Sequence, residues 1–99
     1  MDEIFPTYKG LRIAILSRMV DRELTELRLD LWDVKEILEN GFDCPIGRRK
    51  LNIEEKCIRI GDKIIKVVVE LKQSRTGIEF WKLRHVGMFG YKKERFRGI

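Results

Sequence analysis

Ninety-nine residues, 43% hydrophobic and 37% charged, suffice for one domain with a single core and exclude a mostly disordered chain. The net charge of +5 is unevenly divided: residues 1–43 carry 6 Lys/Arg against 10 Asp/Glu, a net of −4, and residues 44–99 carry 15 against 6, a net of +9. Such a split gathers positive potential on the C-terminal half and points to a polyanion partner: RNA, DNA or an acidic protein.

No window approaches the roughly 20 apolar residues that span a bilayer. The start Met1-Asp2-Glu3-Ile4-Phe5-Pro6 is acidic and lacks the pattern of a signal peptide. The expectation is a cytoplasmic protein without a membrane partner, its thiols reduced. Abundant Lys, Arg, Glu and Ile fit a thermophilic source.

Residues 11–40 read as helical. Leu16, Met19, Val20, Leu24 and Leu27 recur at three- and four-residue intervals, which puts them on one buried stripe. The pattern lapses at Leu27-Arg28-Leu29, and a second helix opens at Asp30, whose carboxylate can accept from the free amides of the first turn. Leu31, Val34, Ile37 and Leu38 supply its apolar stripe, and Asn40-Gly41 supplies a left-handed stop.

From Phe42 to Ile53 no period is visible, and Pro45, Gly47 and the cluster Arg48-Arg49-Lys50 indicate a loop or irregular edge. Residues 56–60 alternate, Gly61-Asp62 suits a two-residue turn with Gly first, and residues 64–71 form a β-branched run. After a loop over 72–77, residues 78–86 read as a further strand. The compact core spans about residues 11–90, and a basic tail follows over 91–99. Two N-terminal helices on one face of a three- to four-stranded antiparallel sheet, in a single α+β domain, are predicted.

The alternation places Trp81, Leu83 and His85 on one face of the last strand and Phe80, Lys82 and Arg84 on the other. With helices over the Trp81 side, the other side presents Arg59, Lys66, Lys82 and Arg84 as a basic shelf, with Phe80 ready to stack. His85 is the sole histidine and suits proton transfer near neutrality, as a general acid or base or as an RNA contact. A structural histidine bonded to a backbone carbonyl is the alternative.

Arg48, Arg49 and Lys50 could surround a phosphate, or simply form a solvated charge run. Tyr91 and Phe96 could stack on bases or dock the terminus. Cys44, Cys57 and His85 offer three zinc-type ligands without any CxxC or HExxH motif, so two free thiols, or a disulfide, compete with a metal site. No cofactor motif is present, neither a P-loop nor GxGxxG.

The order of short motifs carries a family resemblance. Arg18-Met19-x-x-Arg22-x-Leu24, Asp33-Val34-x-x-Ile37-Leu38-x-x-Gly41, Cys44-Pro45-x-x-Arg48-Arg49-Lys50 and Trp81…His85-Val86-Gly87-x-Phe89 resemble a family of small prokaryotic domains of unknown function. That family is grouped with the RelE/ParE-type toxin superfamily. The resemblance implies a RelE-like fold of two helices followed by a twisted antiparallel sheet, and metal-independent cleavage of RNA, free or on the ribosome. It also implies an acidic antitoxin as partner. Under it Arg48, Arg49, Lys82 and Arg84 would hold phosphate, and His85 would shuttle a proton as a 2′-hydroxyl attacks. Non-catalytic binding of nucleic acid or protein on the same sheet stands beside that reading.

Overall fold

The computed structural model describes residues 5–44 and 50–90, which form eight elements in two layers. A short hairpin, β1 (Thr7–Tyr8) and β2 (Leu11–Ala14), comes first, followed by the helices α1 (Arg18–Leu27) and α2 (Leu31–Asn40). Strands β3 (Phe42–Asp43), β4 (Ile53–Ile60), β5 (Lys63–Gln73) and β6 (Glu79–Gly90) complete the chain. The sheet order is β1-β2-β6-β5-β4-β3, antiparallel throughout except for the parallel pair β2/β6.

The α+β class stands, but the rest of the predicted architecture is corrected. The sheet has six strands and is mixed, and the helices follow the first two strands instead of opening the chain. Leu11–Ala14 is a strand because Ile13 can be buried beside Trp81, its partner in β6, while Arg12 points the other way. A parallel pair needs a long crossover, and α1 with α2 lies within the one that leads from β2 to β6. Leu16 and Met19, predicted to be buried on a helical stripe, are 62% and 71% exposed.

Elsewhere the stripes hold. Val20 and Leu24 of α1 and Val34, Ile37 and Leu38 of α2 pack on Ile65, Val67, Val69, Trp81 and Leu83. Asp30 caps α2 in a reciprocal box with Asp33, each side chain accepting from the other's amide at 2.9 Å. Gly61 takes φ +62° in the two-residue turn between β4 and β5. Gly41 has ordinary extended backbone instead of the predicted left-handed cap; its small size is needed because a Cβ would strike the carbonyl oxygens of Ile37 and Cys57.

The sheet is curled. Tyr8 in β1 donates its hydroxyl to Glu54 in β4 at 2.6 Å, although these are the first and fifth strands of the order. Lys35 of α2 reaches the carbonyl of Thr7 at 2.7 Å, and Trp81 donates its indole N–H to the carbonyl of Tyr8 at 2.9 Å. Burial, followed by the Glu54 hydrogen bond, raises the Tyr8 phenol. Burial alone would raise the Glu54 carboxyl, but bonds from Lys9 and Tyr8 outweigh it and hold Glu54 below its ordinary value. No helix among the described residues is long and apolar enough to cross a membrane.

Candidate nucleic-acid interface

Alternation along three strands and the ladder register decide which side chains share the sheet face turned away from the helices. Opposite the buried Ile65, Val67 and Val69 stand Ile64, Lys66, Val68, Glu70 and Lys72 of β5. Their partners are Arg59, Cys57, Glu55 and Ile53 from β4, and Phe89, Gly87, His85, Lys82 and Phe80 from β6. Arg12 and Ala14 of β2 extend this far face beyond β6.

Six cations (Arg12, Arg59, Lys66, Lys72, Lys82, Arg84) thus meet two carboxylates, Glu55 and Glu70, on one side of the molecule. The helical layer carries the opposite balance: Arg18, Arg22 and Lys35 against Asp21, Glu23, Glu26, Asp33, Glu36 and Glu39. Among the described residues, cations thus outnumber carboxylates on the far face and carboxylates outnumber cations on the two helices.

The far face is not a bare basic shelf. Lys66 pairs with the buried Glu55 at 2.9 Å, and Arg84 with Glu70 at 3.2 Å. The Glu55 bond, more than any other cause, raises the Lys66 ammonium, so this lysine stays charged in its half-buried position. Ile64 and Cys57, also on this side, are buried. Phe80 is half-buried, and Arg59 is exposed with its Nε on the carbonyl of Gly61 at 3.0 Å.

A β-bulge changes the reading of His85. Val69 pairs with Leu83 and Val68 with His85, so Arg84 is the extra residue and the alternation slips by one. Leu83 and Val86 both face the core, and His85 does not share their side. Its ring lies over Gly87, where a Cβ would come within 2.8 Å of Nε2. The side chain is 49% exposed and sits at the edge of β6, beyond the reach of β2.

Glu23 of α1 occupies that edge. One carboxylate oxygen accepts the Val86 amide at 3.1 Å, as a strand partner would, and the other meets His85 Nδ1 at 3.0 Å. A carboxylate only accepts, so the ring donates from Nδ1, and Nε2 is the nitrogen not engaged by Glu23. Glu23, Glu26, Leu27 and residues 85–88 line a shallow cavity of about 250 Å³ around the pair. The predicted bond to a backbone carbonyl is replaced by this carboxylate.

Of the other predicted site residues, Arg48, Arg49 and Tyr91 lie outside the described residues. Lys50 belongs to a separate cavity with Lys9, Asp43, Glu54 and Lys56, where Lys9 pairs with Glu54 and Lys56 with Asp43. Cys44 and Cys57 do come together: their thiols hydrogen-bond, and burial followed by that bond pushes Cys44 up to about 12. Burial raises Cys57 as well. His85 does not join them, and among the described residues no three His, Cys, Asp or Glu side chains are grouped to hold a metal ion.

Sequence reasoning missed Glu23, Arg12 and Lys72. Glu23 is 62 residues from His85, and only its place beside the apolar stripe of α1 distinguished it from other surface acids. Comparisons with protein-family models, with curated proteins and with solved structures find no match for this chain.

Proposed function

We propose that this chain binds RNA along the far face of its sheet and cleaves it without a metal, with His85 as general base. The observation that carries the reading is the Glu23–His85 pair at the border of the cation-rich face. Glu23 fixes the tautomer and the ring orientation, the role a carboxylate plays behind a catalytic histidine. Lys82 and Arg84, two residues apart on the far side of β6, would attract the phosphate and offset charge that develops on it.

The step is a transesterification. His85 Nε2 takes the proton of a 2′-hydroxyl, that oxygen bonds to the adjacent phosphorus, and the bond from phosphorus to the 5′-oxygen breaks. The leaving oxygen takes up a proton from water. The products are a 2′,3′-cyclic phosphate and a 5′-hydroxyl end. The resemblance to RelE/ParE-type toxins is the reason to test RNA, free and on ribosomes, before DNA.

Binding without cleavage is the second reading, favoured by the Arg84–Glu70 bond, which engages the cation nearest to His85. An acidic protein of antitoxin type would compete for the same cations. The two readings separate in one assay: wild type, His85→Ala and Glu23→Gln are incubated with labelled RNA and excess chelator. Catalysis predicts chelator-resistant cleavage that His85→Ala reduces by about 10²- to 10⁴-fold and Glu23→Gln reduces by a smaller factor. Salt-sensitive binding with no cleavage by wild type leaves the second reading, and no binding at low salt refutes both.

A further inference from the structure

We infer that the cavity at the Phe80 end of β6 is a stacking site for one base of a single-stranded RNA, and that the protein therefore selects single strands over duplex. The inference rests on the RNA reading above and specifies its substrate.

The cavity, of about 330 Å³, lies at a corner of the far face. Phe80 supplies a ring from β6, Arg12 and Ala14 come from the neighbouring β2, and Leu16 and Ile78 add largely exposed apolar walls. Arg12 already stacks its guanidinium over the Phe5 ring, 3.9 Å from the centroid. An aromatic ring beside a stacked guanidinium is the recurring platform for unpaired bases, because every base offers a π-face.

What chooses a nucleotide over an apolar side chain is continuity with the cations. Phe80, Lys82 and Arg84 follow one another on the same side of β6, at about 7 Å per pair of residues. A base in the cavity would carry its backbone phosphates onto Lys82 and Arg84, toward His85. An apolar peptide would gain from the cavity but not from the row. A duplex would have to unstack a base to fill the cavity, at a cost that an unpaired strand avoids.

The test uses the full chain and fluorescence anisotropy with a labelled 12-nucleotide RNA, single-stranded or annealed to its complement, over a range of salt. Single-stranded RNA is expected to bind at least 10-fold more tightly than duplex. Phe80→Ala is expected to weaken single-strand binding by about 5- to 100-fold while leaving the salt slope unchanged. Phe80→Leu keeps apolar volume for the fold and should show most of that loss, and Lys82→Ala should reduce the salt slope by about one.

If wild type binds no RNA, the RNA reading fails. If it binds with normal salt dependence but duplex binds as well, or both Phe80 variants match wild type, the stacking site is overturned and the RNA reading stands. Displacement of the RNA by an acidic peptide that shows the same Phe80 dependence also overturns it.

Discussion

Replacing Tyr8 by Phe tests whether the sheet curls enough to bring its first and fifth strands together. The ring would keep its tilted contact with Trp81, centroids 5.5 Å apart, and only the hydroxyl bond to Glu54 would go. A hydrogen bond to a charged acceptor contributes about 1.5–3 kcal/mol. Glu54 retains Lys9 at 2.7 Å, so it is not left unpaired, and a loss near the low end, about 1–2 kcal/mol, is expected. For a domain of this size that is roughly 5–15 °C in the melting temperature.

A double-mutant cycle with Glu54→Gln isolates the coupling, read from urea unfolding followed by tryptophan fluorescence. The coupling also has a defined pH dependence. The Glu54 carboxyl lies below its ordinary value of 4.5 in the folded protein, so its contribution is fully present above that value. It is lost as pH falls through the lower native value. A Tyr8→Phe change below about 0.3 kcal/mol at pH 7, or a coupling that persists unchanged at pH 2, would refute the closure between β1 and β4.

Three further outcomes follow from the geometry. Gly41→Ala should destabilise by about 1–3 kcal/mol in urea unfolding, because the new methyl meets two backbone carbonyls that have little room to shift. Gly87→Ala should leave the fold largely intact, because the nearest atoms to its Cβ belong to the movable His85 ring; imidazole signals in NMR should report loss of the Glu23 contact. Cys44 and Cys57 should resist an aromatic disulfide reagent at pH 8 until the protein is unfolded, since burial keeps both thiols protonated.

The strongest local signals were legible in the sequence. Val20, Leu24, Val34, Ile37 and Leu38 announce their helices by spacing alone, and Asp30 and Gly61 mark a cap and a turn by chemistry that does not depend on the rest of the chain. The segment from Leu11 to Leu16 was misread because a short apolar run fits a strand and a helix equally well. Its pairing with Trp81, some seventy residues away, is a tertiary choice. Arg84 shows a second limit: a bulge adds one residue without changing the composition, so parity put His85 with Leu83 when the ladder does not. Parity along the predicted strands marks Arg59, Lys66, Lys82 and Arg84, whereas Arg12 and Lys72 lie outside those strands and the place of Glu55 depends on the true start of β4. Glu23 could not be paired with His85 until the end of α1 was placed against the edge of β6.

The central claim is that anionic ligands meet the sheet on the side turned away from the helices, beside the Glu23–His85 pair. Amide chemical-shift mapping of the isotopically labelled protein, titrated with short single-stranded RNA at low salt, tests it most directly. Shifts concentrated at residues 64–72 and 80–87, fading as salt is added, are predicted. Shifts confined to the exposed faces of α1 and α2, or none at any RNA concentration, would contradict it.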